Sequence, residues 1–135
     1  MQVKIIDFGY AKLPYRAHAN DAGADVYSTE NVILKAGSTY AMPLGFGLEL
    51  PDGYAGFIFP RSGLSKKGIV CELPPIDSGY RGEIHAIVSN VSQEDYVINA
   101  NDRIGQLVIT PVILATFITE DIKQRGDGAF ASTGK

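Results

Sequence analysis

The sequence predicts one all-β domain, a sandwich, jelly roll or barrel, on three observations. Short apolar and β-branched runs recur at intervals of about ten residues with turn residues between them. The 135 residues include 15 glycines and 7 prolines, a density of turn formers that leaves little room for long helices. No stretch sustains a helical period over several turns, and the length is that of a single domain with a real core.

Taken in order, Val3 to Phe8 is a β-branched, apolar run and the first expected strand. Leu13 to Asn20 is irregular and polar. In DAGADVYST, Asp21 to Thr29, the Ala22-Gly23-Ala24 step lets backbone segments pass closely and holds Asp25 beside Val26. Val32 to Leu34 is a short strand closed by Lys35-Ala36-Gly37. From Tyr40 to Leu50, residues Leu44, Phe46, Leu48 and Leu50 alternate with small or polar positions, the period of a strand. Pro51-Asp52-Gly53 is a turn. Tyr54 to Phe59 is a compact strand ending at Pro60.

Pro74 to Glu83, PPIDSGYRGE, cannot be a helix interior, because adjacent prolines fix φ and remove two donors. It is expected as a stiff loop or hairpin leading into a strand near Glu83. Strands are expected over 83–90 and 95–98 with a polar turn between them. Gln106 to Ile109 and Val112 to Ile118 follow as two more, separated by Thr110-Pro111. The second also carries helical spacing, but its β-branched content favours strand. Residues 125–135, RGDGAFASTGK, are expected as a glycine-rich flexible arm on a 1–124 β domain, with Phe130 as an aromatic in need of a docking place.

The totals exclude several classes. No apolar run approaches the roughly 18 residues of a membrane span, and MQVKIIDFGY lacks the parts of a signal peptide. The single Cys71 excludes a disulfide framework and a cysteine-rich zinc site, and fits a reducing, cytoplasmic compartment. A net charge of −3 argues against direct binding of nucleic acid, so an anionic ligand needs a local basic site.

Such a site has candidates. Arg61-Ser62-Gly63 offers a guanidinium fork, a hydroxyl and backbone N–H groups, a set that suits phosphate and also makes an ordinary turn. Gln106 can donate from its amide, and Arg125, Ser132 and Thr133 lie among glycines. The GxxxxGKS/T and GxGxxG patterns are absent. Asp25, Asp77, Glu83, Asp102 and Asp127 are the candidate carboxylates, Asp77 being either a solvated turn residue or a carboxylate presented on stiff backbone. Neither HExxH nor DxDxDG is present, so any magnesium arrives on phosphates with most of its waters. Ser62 has no GxSxG context. His85 reads as structural, Lys66-Lys67 as a solvated pair, and Arg125-Gly126-Asp127 spells an adhesion tripeptide with no secretion signal to support it.

Five segments in order resemble the five motifs of the trimeric dUTPases: AGADVYS, PRSGLSKKG, IDSGYRGE, DRIGQLVI and RGDGAFASTG. The resemblance implies a jelly-roll-like, distorted β-barrel subunit (a β-clip fold) in a homotrimer with shared active sites. It implies magnesium-dependent hydrolysis of dUTP to dUMP and pyrophosphate, which limits uracil in DNA and supplies dUMP for dTTP synthesis. Residue by residue, Asp77 matches the carboxylate that deprotonates the water attacking the α-phosphorus. Tyr80 matches the ring that packs on deoxyribose, and Pro75 and Ile76 fall in the hairpin that reads uracil. Arg61, Ser62, Gly63 and Gln106 match phosphate contacts. Arg125, Ser132 and Thr133 match the arm over the γ-phosphate, and Phe130 the aromatic that stacks on the base. Asp25 matches an aspartate near the magnesium waters, an indirect contact.

The chain departs from the pattern at two places. Pro74-Pro75 replace a Gly-Val or Gly-Thr pair in a shorter hairpin that lacks the family's asparagine, and GAFAS replaces GGFGS. The same fold also carries dCTP deaminases and other pyrimidine deoxynucleotide hydrolases. IDSGYRGE favours the diphosphatase, whereas a non-catalytic β-sandwich module gives Phe130 and the arm no role.

Overall fold

The computed structural model describes residues 1–120. Among the described residues, ten short strands form four small antiparallel sheets and one four-residue helix follows the sixth strand. β1 (Lys4–Asp7) pairs with β5 (Phe46–Glu49). β2 (Ala24–Tyr27), β10 (Arg103–Pro111) and β6 (Tyr54–Phe59) form a sheet in that order. β3 (Val32–Leu34) pairs with β9 (Tyr96–Ile98), and β4 (Thr39–Pro43), β8 (His85–Asn90) and β7 (Ile69–Cys71) form the fourth sheet.

The alternating apolar positions point inward as their period requires. Ala86 and Val88 on β8 are fully buried and meet Met42, Leu44, Phe46 and Leu34 in one core. Burial of each large side chain there contributes about 1.5–3 kcal/mol. Asn90 is the largest polar group in this core, and every side of it is satisfied. It donates to the carbonyls of Leu34 (2.9 Å) and Glu94 (2.7 Å), and accepts from the N–H and hydroxyl of Ser92 (3.0 and 2.7 Å). It therefore pins the 91–95 turn to the core rather than costing the free energy of an unpaired amide.

Four expectations need correction. The run from 40 to 50 is two strands, because Gly45 adopts φ +76°, a left-handed conformation open to glycine, and turns the chain between β4 and β5. Arg61-Ser62-Gly63 is not a plain turn, since Ser62–Ser65 forms the helix α1. Thr110-Pro111 does not separate two strands. Both belong to β10 and face Ala55 and Tyr54. The N–H of Val112 bonds Gly53 O (2.8 Å), so the nitrogen of Pro111, one residue earlier, faces away from β6. β2 stops pairing at Leu107, so no donor is needed on that side. Finally, residues 112–118 are not a strand. They have no regular structure, and Ile113 and Phe117 are 92% and 93% exposed, because no neighbouring strand lies beside them among the described residues.

Candidate active site

The hairpin segment crosses from one sheet to another. Cys71 ends β7 in the fourth sheet, and Ile76 forms a bridge to Gly56 on β6, with N–H to carbonyl distances of 2.7 and 3.0 Å in the two directions. Between them the two prolines hold the backbone extended. Beyond Ile76, a turn closes from the Tyr80 N–H to Asp77 O (3.1 Å), and the Ser78 hydroxyl ties it to the Asp52 carboxylate (3.0 Å). The Tyr80 hydroxyl donates to Glu83 O (2.7 Å), which fixes its ring. Pro74, Pro75, Ile76, Asp77 and Tyr80 thus line a cavity of about 240 Å³ together with Glu72 and His85. The exposed Asp77 carboxylate has no hydrogen-bond or ion-pair partner among the described residues, whereas Glu83 is committed to the Gly45 N–H (2.8 Å) and the Tyr10 hydroxyl.

A second cavity, about 680 Å³, opens between β2, α1 and the start of β10. Lys12, Arg61, Lys67 and Arg103 line it against Asp25 and Asp102, which supplies the local positive field that a chain of net −3 otherwise lacks. Asp25 sits between Arg61 Nε (3.9 Å) and Arg103 Nη1 (3.8 Å), distances of ion pairs rather than hydrogen bonds. Asp102 is structural: its Oδ2 accepts the Asn99 N–H at 2.8 Å. Gly63 also lines this cavity, while Ser62 is exposed one residue before it. Gln106 lies opposite Asp25 and Phe59 in the sheet and donates from Nε2 to Pro60 O (3.0 Å). Its side chain passes directly over Gly23, where a Cβ would stand 2.4 Å from Oε1.

The chain therefore sorts most of the predicted residues into two groups, while Ser62 and Gln106 line neither cavity. Pro75, Ile76, Asp77 and Tyr80 share the smaller cavity, Asp25, Arg61 and Gly63 share the larger, and no described residue lines both. Arg125, Phe130, Ser132 and Thr133 lie outside the described residues, as does the 124/125 domain boundary. Sequence reasoning passed over Arg103 and Lys12 in the basic cavity and Glu72 in the smaller one. Arg103 was within reach, since it adjoins Asp102 in DRIGQLVI, but Glu72 was hidden in a short apolar strand end. For magnesium, no group of three or more His, Cys, Asp or Glu among the described residues forms a cage. Asp25 faces two guanidinium groups, so the donor set fits an ion carried on phosphates and reached through water.

An antiparallel β domain with a basic cavity and a smaller one holding a free carboxylate has the parts of a nucleotide-binding domain. Comparison with known proteins gives the family. The model of the dUTPase family matches residues 9–134, and the chain belongs to that family. It is 42% identical over 130 residues to the deoxyuridine 5'-triphosphate nucleotidohydrolase of Leifsonia xyli, covering 91% of this chain and 86% of that one. The enzyme of the same name from Clostridium tetani is 41% identical over 133 residues, covering 93% and 90%. Among solved structures, the dUTPase of Staphylococcus aureus phage phi11 superposes with a TM-score of 0.84 at 26% identity, covering 90% of this chain and 97% of that one. The dUTPase of Staphylococcus bacteriophage 80alpha, solved with dUPNHPP, superposes at 0.79 and 25% identity, covering 89% and 88%. The all-β, dUTPase-like fold expected from the sequence is borne out.

Proposed function

We propose that the chain is a dUTP diphosphatase that hydrolyses dUTP to dUMP and pyrophosphate. The observation that carries this reading is the Asp77 carboxylate, unpartnered among the described residues, in a nucleoside-sized cavity beside Tyr80, on backbone that two prolines and the Gly56 bridge make rigid. A carboxylate is a weak base at neutral pH, but a water held in line by a fixed acceptor gains from positioning as well as basicity. Asp77 takes the water's proton, the oxygen adds to the α-phosphorus, and pyrophosphate leaves with the bonding pair. The Tyr80 ring, fixed through Glu83 O, packs on the sugar and crowds a 2′-hydroxyl. Arg61, Ser62, Gly63 and Gln106 hold the phosphates, and Asp25, which pairs with Arg61, would meet the waters of an ion carried on them. Magnesium, when bound on the triphosphate, would supply charge neutralisation for the leaving group. In this reading Arg125, Phe130, Ser132 and Thr133 complete the site as a closing arm.

Two observations support a homotrimer with shared sites. The water-activating and phosphate-binding groups occupy separate cavities on one chain, so a complete site calls for a second copy. The apolar run that includes Ile113, Leu114, Phe117 and Ile118 is exposed, a surface that a symmetric assembly buries.

The test is pyrophosphate release from dUTP with magnesium. Asp77→Asn is expected to cost about 10²- to 10⁴-fold in kcat while nucleotide binding persists. Full turnover in that variant overturns the assignment of Asp77.

A further inference from the structure

Resting on the reading that the hairpin cavity takes the pyrimidine nucleoside, we propose that dCTP is a second substrate of the same site. It is hydrolysed to dCMP and pyrophosphate, with Glu72 accepting a hydrogen bond from the 4-amino group of cytosine. The reaction balances as for dUTP: water adds to the α-phosphorus, its proton goes to Asp77, and pyrophosphate departs.

The inventory of polar groups along residues 72–76 leads to this. Pro74 and Pro75 have no N–H. The Glu72 N–H is spent on Ile87 O (2.8 Å) and the Ile76 N–H on Gly56 O (2.7 Å). That leaves the Leu73 N–H as the one uncommitted backbone donor of the segment among the described residues. The carbonyls of Glu72, Leu73, Pro74 and Pro75 accept nothing among the described residues. A segment this rich in acceptors and poor in donors suits a base edge that donates. Uracil presents an acceptor at position 4, and cytosine presents an amine there.

The side chains point the same way. Among the polar groups lining the cavity, Glu83 is held by Tyr10 and Gly45, the Tyr80 hydroxyl by Glu83 O, and Asp77 serves the water. Glu72 and His85 remain. Glu72 Oε2 accepts from the Ser89 hydroxyl (3.1 Å), which itself contacts Thr39 Oγ1 (2.8 Å), so the carboxylate is oriented, and Oε1 has no partner among the described residues. His85 is the ring that can donate to O2, an acceptor both bases share. The same acceptors take the N3–H of uracil but face the N3 lone pair of cytosine, and Glu72 faces uracil O4, so each base has one matched and one opposed position and discrimination between the two is lost. The cavity, about 240 Å³, lies below the range of about 300–1,000 Å³ for drug-sized ligands and suits a nucleoside without its phosphates.

The experiment measures kcat/KM for pyrophosphate release from dUTP and from dCTP with magnesium, and ammonia release from dCTP, in the wild-type chain and in Glu72→Gln. The expected result is dCTP within about tenfold of dUTP, against the roughly 10⁴-fold or greater rejection of a site that reads a carbonyl by hydrogen bonds. Glu72→Gln supplies an N–H toward position 4 and is expected to lower the dCTP/dUTP ratio about tenfold. In the wild type, dCTP should inhibit dUTP turnover competitively with Ki equal to its own KM. This measurement does not depend on the variant folding. If dUTP is hydrolysed while dCTP falls below about a thousandth of its rate, the inference fails and the diphosphatase reading stands. Ammonia from dCTP, or an unchanged ratio in a folded Glu72→Gln, also overturns it. Pyrophosphate from neither substrate sinks both readings.

Discussion

Gly23→Ala is the sharpest single test of how the phosphate side of the proposed site is assembled. Gly23 is buried, and its φ lies outside the left-handed region, so alanine brings no backbone strain. The cost is steric. The new methyl would stand 2.4 Å from Gln106 Oε1, 2.8 Å from Gln106 Cβ and 3.0 Å from Cδ. Rotating the amide away relieves the first and last contacts but not the Cβ, which β10 fixes between β2 and β6. Overpacking of this kind costs about 1–3 kcal/mol. Loss of the Nε2 bond to Pro60 O adds about 0.5–1.5 kcal/mol. Urea unfolding should therefore show a lower midpoint at unchanged m. Under the proposed function, dUTP turnover should fall further than stability explains, because Gln106 no longer faces the phosphates. Adding Gln106→Ala removes the Oε1 and Cδ contacts and keeps the Cβ one, so the double variant should recover part of the lost stability. Such non-additivity is the mark of direct contact. Wild-type stability and turnover in Gly23→Ala would show that the Gln106 side chain does not rely on this passage.

Two further outcomes follow from other parts of the molecule. Burial, with the nearby Glu72 charge second, pushes the Cys71 thiol from 9.0 up to about 11. The folded state thus holds this proton more tightly, so the contribution to stability is full below pH 9 and is lost as pH rises through about 11. Native protein should resist iodoacetamide at pH 9 and react once unfolded in urea, and the alkaline loss of stability should shrink in Cys71→Ala. Rapid native labelling would refute the burial of this thiol. Phe117→Asp puts a charge on a side chain that is 93% exposed in the single chain, so a monomer tolerates it. Sedimentation should show dissociation if this run is the assembly surface, and an unchanged assembly would refute that role.

Much of the fold was legible because its signals are local. β6 is a compact apolar run bounded by turn residues, β8 alternates over its first four residues, and the turn at Pro51-Asp52-Gly53 declares itself by residue type. The elements missed are those set by distant partners. ADVY and IVC are too short to show a period, and they become strands because β10 and β8 offer them edges. Residues 112–118 have the β-branched content of a strand and are none, since strand formation requires a neighbour. The site divides in the same way. Asp77, Tyr80, Asp25 and Arg61 could be named from their motifs, yet their division between two cavities is a property of the chain path alone. Glu72 gave no sequence signal, because a carboxylate after an apolar strand reads as a solvated end.

That division makes a prediction of its own. If one chain's Asp77 serves another chain's Arg61, two crippling substitutions placed on different chains can complement. Asp77→Asn and Arg61→Ala should each be nearly inactive alone. After co-refolding in equal amounts, a site needs an intact Asp77 from one copy and an intact Arg61 from another, each present with a chance of one half. About a quarter of the wild-type turnover should then return if the copies mix at random. Were both groups drawn from a single chain, every site in the mixture would still lack one of them, and activity would stay at the level of the parents. Recovery therefore depends on where the two cavities are joined, not on the strength of either substitution. Mixing the folded proteins without unfolding should give recovery only as fast as the subunits exchange, which separates shared sites from trace contamination by an intact enzyme.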